Sequence, residues 1–176
     1  MKYGMIPFFI PHVGCPHVCT FCNQSRITET VGIGHLTPEY IASTIKDYVG
    51  DSKNDKFWEV CFYGGSFSAI DQKLQKQLLK PAYEALQSGL IDSIRCSTRP
   101  DAVSDGQLEL LCSLGMKTIE LGVQSMDDTV LSLAKRGHTS DDVKVAVKQL
   151  RKFGFTVGIQ LLPGLLGDSW ETIIQT

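Results

Sequence analysis

Segments that read as strands alternate with segments that read as helices five times along this chain, and that alternation narrows the fold more than any other feature. KYGMIPFFIP (2–11), KFWEVCFYGG (56–65), SIRCSTRP (93–100), KTIELGVQS (117–125) and TVGIQLLPG (156–164) are apolar or β-branched runs that stop at proline, glycine or polar residues. Between and after them lie TPEYIASTIKDYV (37–49), DQKLQKQLLKPAYEALQSG (71–89), SDGQLELLCSLG (104–115), MDDTVLSLAKRG (126–137) and SDDVKVAVKQLRKFG (140–154), where apolar positions recur at helical spacing. Thr37, Pro38 and Glu39 form a strong helix start, Gly89 and Gly115 are helix stops, and Pro81 predicts a kink.

Strand-then-helix units in series demand a parallel sheet with helices outside it, as a barrel-like or a doubly wound fold. Two features favour the barrel. The glycine and polar clusters follow strand C-terminal ends, the face on which α/β barrels build their sites. In strand four, Glu120, Gly122 and Gln124 share one side and Ile119, Leu121 and Val123 the other, so the polar set faces a lumen and the apolar set faces helices. Gly158 and Gln160 repeat that parity in strand five. SWETIIQT (169–176) opens one more helix of barely two turns. The expectation is one domain over residues 1–176, about five β/α units with the C-terminal strands missing. No internal repeat, low-complexity tract or linker divides it.

With 17 basic and 19 acidic side chains, the formal charge of −2 lacks the basic excess of a dedicated nucleic-acid binder. No secretory signal is visible in MKYGMIPFFIPHVG, and no apolar run approaches the roughly 20 residues that cross a bilayer. Six cysteines without a secretory signal suit a reducing compartment, so a cytoplasmic location is expected. Cys61, Cys96 and Cys112 stand singly in apolar surroundings and are expected in the core.

The other three cysteines, in GCPHVCTFCNQ (14–24), follow C-x3-C-x2-C spacing. Thiolates are soft ligands that suit zinc or an iron–sulfur cluster. Structural zinc needs a fourth ligand: His17 lies inside the tight first gap, too close to share a metal with both flanking cysteines, whereas His12, on the outgoing strand, stays open as a candidate. An iron–sulfur cube held at three corners instead leaves one iron open to a small ligand.

CPHVCTFC (15–22) resembles the C-x3-C-x-aromatic-C signature of the radical S-adenosylmethionine (SAM) enzymes, with Phe21 as the aromatic residue. The resemblance implies a partial (β/α) barrel of the radical SAM type and a [4Fe–4S] cluster on Cys15, Cys19 and Cys22. SAM would chelate the fourth iron and be cleaved reductively to a 5′-deoxyadenosyl radical. FYGGSF (62–67) is similar to the family's glycine-rich turn after strand two, which implies cofactor binding by Gly64, Gly65 and Ser66. STRPD (97–101) puts Ser97 where relatives often contact SAM, some of them through a carboxylate. ELGVQS (120–125), AKRGH (134–138) and IQLLPGLLGDS (159–169) resemble segments that imply SAM contacts for Gln124, Arg136 and Gln160. Plainer roles stand beside these: Gln124 as lumen filling, Arg136 as a solvated helix-end charge paired with Glu120, and His138 as a surface or capping residue.

The flanking sequence looks most like the Elongator-subunit-3-like branch, with a coproporphyrinogen-oxidase-like branch beside it. These imply transfer RNA or a small molecule as substrate and a flavodoxin or ferredoxin as electron donor. The contrasting class is a non-catalytic iron–sulfur or zinc module.

Overall fold

The computed structural model of the protein describes residues 2–10, 15–22 and 33–176. Five strands form one parallel sheet in sequence order: β1 (Lys2–Ile10), β2 (Lys56–Gly64), β3 (Ser93–Thr98), β4 (Thr118–Gln124) and β5 (Thr156–Leu161). The sequential order, with no reversal, is the winding of a barrel wall rather than of a doubly wound sheet, and the sheet is open.

Among the described residues, six α-helices connect or follow the strands: α1 (Pro38–Val49), α2 (Gln72–Gln87), α3 (Asp105–Ser113), α4 (Asp128–Leu133), α5 (Ser140–Lys152) and α6 (Trp170–Gln175). Thr37 caps α1 by accepting from the Tyr40 amide at 3.2 Å, and Asp71 caps α2 through the amides of Lys73 and Leu74. The α2 helix runs on through Pro81, which is buried within it. Ser104 precedes α3 without a capping bond from its side chain. The fourth helical segment is shorter than its sequence suggests: Lys135 at φ 55° and Gly137 at φ 74° turn the chain out of the helix.

Alternate residues divide the sheet into two faces. Ile6, Val60 and Ile94 are register neighbours on the convex face and are wholly buried under α1, α2 and α3, together with Ile41, Ile45, Leu78, Leu79 and Leu108. Ile119, Leu121 and Val123 belong to this layer, as their parity predicts. Each such large side chain contributes roughly 1.5–3 kcal/mol by leaving water. Cys61 and Cys96 are buried, whereas Cys112 is exposed, contrary to expectation. On α3 the buried residues are Leu108 and Leu111, and the next position, Cys112, lies about 100° round the helix from Leu111.

The concave face is different in kind. Along β1, Tyr3, Met5 and Phe9 face it and are about half exposed. Further along, charges sit on the same parity: Glu59 on β2, Arg95 on β3 and Glu120 on β4. Arg95 donates to Glu59 through Nε at 2.7 Å and to Glu120 through Nη1. Glu59, only 1% exposed, also accepts from the Ser93 hydroxyl at 2.8 Å and from the Tyr3 phenol. Burial works against the Arg95 charge, but its bond to Glu120 and the charge of Glu59 outweigh it and hold the group protonated.

Candidate cofactor site

An open cleft of about 150 Å³ lies at the C-terminal ends of the strands. The segment after β1 brings Cys15, Cys19, Phe21 and Cys22 to one wall. It is held by two backbone bonds, Thr20 N–H to the Ala134 carbonyl at 3.1 Å and Cys22 N–H to the Cys19 carbonyl at 3.0 Å. His12 lies outside the described residues, and His17 turns to Asp101, with Nε2 3.4 Å from a carboxylate oxygen.

Gly64, Gly65 and Ser66 form the next part of the wall. Gly64 has φ 104°, and a Cβ there would stand 2.4 Å from the Ile10 carbonyl oxygen. Only glycine fits the close approach of this turn to β1, which the bond from Gly65 N–H to the same carbonyl secures at 3.0 Å. Ser97, the last residue but one of β3, lines the lumen side, and Gln160 reaches it from β5. Gln124 is held at φ 75°, where the β4–β5 register slips between Gly122 and Gln124. Positive φ is uncommon for a residue with a side chain, and here it falls on the cleft wall.

Arg136 is 6% exposed, not solvated, and Glu120 is not its partner. Its Nη1 points to the Cys19 sulfur at 3.3 Å, its Nη2 donates to the Gly122 carbonyl, and its guanidinium lies 5.7 Å from the Phe21 ring centre. Its buried Nε has no partner among the described residues. The chain after α4 is too short of helix to carry the residue outwards, and so it turns back over the cysteines.

Arg99 is a second cation, and sequence reasoning did not select it. Its Nη1 lies 3.9 Å from the Cys15 sulfur, it grips Asp101 with two bonds of 2.8 and 3.2 Å, and it donates to the Arg136 carbonyl. Burial pushes the Asp101 carboxyl upwards, yet the bonds and charge of Arg99 hold it below the usual range. Position 99 shares parity with Ser97 in STRPD, a signal that would have placed it beside the cleft. Thr98 and Gly122 also line the wall and were not selected.

His138 is buried rather than superficial, at 5% exposed, and neither ring nitrogen has a hydrogen-bond partner among the described residues. Burial, with Arg136 and Arg99 adding, depresses its pKa to about 4, so it stays neutral.

The eleven residues singled out from sequence therefore lie on the wall of one cleft. Burial raises the Cys22 thiol, and the neighbouring cysteines raise it further, while Arg136 opposes them. The guanidiniums of Arg99 and Arg136 lie beside Cys15 and Cys19, where they would offset the negative charge of metal-bound thiolates. Among the described residues, no group of three His, Cys, Asp or Glu could hold a single metal ion. Cys15, Cys19 and Cys22 line one cleft, and three soft thiol donors are of the kind that hold an iron–sulfur cube.

Residues 9–176 match the family model of the Radical SAM superfamily, and the chain belongs to that superfamily, a class of enzymes whose cofactors are a [4Fe–4S] cluster and SAM. It is 32% identical over 130 residues to the tRNA uridine(34) acetyltransferase of Dehalococcoides mccartyi (strain CBDB1), covering 64% of this chain and 28% of that protein. It is 27% identical over 172 residues to the heme chaperone HemW of Lactococcus lactis subsp. lactis (strain IL1403), covering 97% and 43%. Its fold is like that of Methanocaldococcus infernus Elp3, with a TM-score of 0.70 at 22% identity over 98% of this chain and 41% of that one. Escherichia coli coproporphyrinogen III oxidase HemN gives 0.66 at 17% identity, covering 99% and 41%. The chain thus spans less than half the length of these relatives. Among the described residues, no helix is long and apolar enough to cross a membrane.

Proposed function

We propose that this chain is the radical core of an enzyme that binds a [4Fe–4S] cluster through Cys15, Cys19 and Cys22 and reductively cleaves SAM. When bound, the reduced cluster supplies the electron that splits the sulfonium into methionine and a 5′-deoxyadenosyl radical. The observation that carries this reading is the meeting of three thiols and two buried guanidiniums in one cleft. Among the described residues Arg136 has no partner for its Nε and no carboxylate in an ion pair, so it is disposed to take the carboxylate of a bound amino acid. The turn at Gly64, Gly65 and Ser66 brings backbone close to the ligand. Ser97, Gln124 and Gln160 offer polar contacts from the ends of β3, β4 and β5, and Phe21 shields the cluster side from water.

The test is anaerobic reconstitution, reduction with dithionite and assay for 5′-deoxyadenosine. The reading requires about four irons per chain and product formation, and requires both to be lost in Cys15→Ala, Cys19→Ala and Cys22→Ala. Product that survives any of these changes would refute the ligand set.

The substrate we assign is transfer RNA, supported by the tRNA uridine(34) acetyltransferases that match at 30–32% identity. Adding transfer RNA should accelerate 5′-deoxyadenosine formation, and no response to any RNA would remove this assignment. A second reading, heme handling, is supported by the HemW match over 97% of the chain, and heme binding by the purified protein would favour it. The electron donor in this proposal is a flavodoxin or ferredoxin, in keeping with the superfamily's need for a reductant. Six free cysteines support a reducing cytoplasm as the place of action.

A further inference from the structure

Arg99, Pro100 and Asp101 close the STRPD segment, and their backbone fixes where two opposite charges stand. A proline favours extended backbone in the residue before it, and Arg99 is extended at φ −105° and ψ 153°. One turn of 3₁₀ helix follows over Pro100–Ala102. The Ala102 N–H donates to the Arg99 carbonyl at 3.2 Å, and the Ala102 carbonyl accepts from the Ser68 hydroxyl. The turn brings the Asp101 carboxylate back onto the side chain of Arg99.

The two charges are ordered relative to the cysteines. Arg99 gives Nε and Nη2, one edge of its fork, to Asp101 at 2.8 and 3.2 Å, and points Nη1 at the Cys15 sulfur, 3.9 Å away. Nη2 also donates to the Arg136 carbonyl, so the guanidinium has a hold on the wall besides Asp101. The Arg99 side chain is 4% exposed and that of Asp101 30%, which buries the cation beside the thiol and leaves its counter-ion towards solvent. Asp101 meets the cysteine segment as well: His17 Nε2 lies 3.4 Å from its carboxylate, and a Cβ at Gly137 would collide with the His17 ring.

Reduction adds one negative charge to whatever the three thiols hold. A buried cation beside a ligand sulfur favours that charge and raises the reduction potential, and an anion in the same region lowers it. We infer that Arg99 and Asp101 are a potential-setting pair for the cluster: Arg99 pulls the potential up, and Asp101 partly cancels that pull while fixing the guanidinium on Cys15. This rests on the reading of Cys15, Cys19 and Cys22 as cluster ligands. It gives the pair a part in electron uptake that involves neither SAM nor substrate.

The experiment measures the midpoint potential of the anaerobically reconstituted, SAM-free protein by redox titration followed by electron paramagnetic resonance. It is run at about pH 9, above the ordinary histidine range, so that neighbouring histidines add no charge of their own. Asp101→Asn keeps the shape of the side chain and an acceptor for Arg99. It should raise the potential by about tenfold in the reduction equilibrium, which is about 59 mV for one electron. Arg99→Gln should lower the potential by a similar factor. A pair that only braced the segment would not give shifts of opposite sign, so shifts of the same sign overturn the inference. If Arg99→Gln takes up no iron, Asp101→Asn decides alone: a rise upholds the inference, and a potential unmoved or lowered overturns it. A wild type that forms no cluster overturns the cofactor reading and this inference with it, whereas a cluster whose potential ignores Asp101→Asn overturns the inference alone.

Discussion

Arg95 and Arg136 are both cations on the inner side of one sheet, yet their surroundings are opposite. Arg95 is clamped between two carboxylates, Glu59 and Glu120, which themselves collect Tyr3, Ser93, Ser97 and Gln160. Arg136 has a thiol, a carbonyl and an aromatic ring for neighbours and a buried Nε with no partner among the described residues. A buried guanidinium is costly unless its charge is met. The first arginine is complete within the folded chain; in the proposed function the second is completed by a ligand. That separates a residue that holds the barrel wall together from one that we propose meets an anion.

The largest effect that would break this contrast lies at the thiols beside Arg136. Cys19→Ala should abolish cluster absorbance and SAM cleavage altogether while leaving the far-ultraviolet circular dichroism of the apo-protein unchanged, because the cysteine segment adds little to the core. Next comes Glu59→Ala, which leaves Arg95 with Glu120 alone and takes the shared acceptor from Ser93 and Tyr3. It should destabilise the protein by about 3 kcal/mol or more in denaturant titration, because several part-buried donors each lose a partner at about 1–3 kcal/mol. A loss under about 1 kcal/mol, the scale of an exposed pair, would mean that the network is ornamental.

The neutral His138 sharpens the contrast through pH. Its folded pKa of about 4 lies below the ordinary 6.5, so the unfolded chain takes up the proton first as pH falls. Stability from this group is full above about pH 6.5 and declines towards pH 4, by on the order of 3 kcal/mol across the window. His138→Leu should flatten that part of the pH profile of apo-protein unfolding, and an unchanged slope would contradict the assignment. The smallest effect is expected at Arg136. Arg136→Met should leave unfolding nearly unaltered and weaken SAM binding by about 1–3 kcal/mol, read as a Kd change by calorimetry.

Much of this contrast is legible in the amino-acid sequence. Strand parity alone puts Glu120, Gly122 and Gln124 on the lumen side and Ile119, Leu121 and Val123 under the helices, because a period of two leaves no freedom once one face is buried. The cysteine spacing and the glycine turn of FYGGSF are legible because each carries a local demand, metal ligation or positive φ, that few sequences meet. Arg99 and the Glu59–Arg95–Glu120 chain are not, since their partners come from other strands and a single sequence does not give the register between strands. The same limit misplaces Arg136 and His138. A short, charged stretch after a helix looks solvated until α4 ends at Leu133 and Lys135 and Gly137 fold the chain back. Cys112 goes astray for a smaller reason, one residue of helical phase.

The central claim is that this cleft holds an iron–sulfur cube at three corners and leaves the fourth for SAM. Low-temperature electron paramagnetic resonance of the reduced, anaerobically reconstituted protein tests it most directly. The account predicts an S = 1/2 cluster signal whose g-values shift on adding SAM, and no such signal in Cys15→Ala, Cys19→Ala or Cys22→Ala. A spectrum indifferent to SAM, or a protein that takes up zinc and forms no cube, would contradict it.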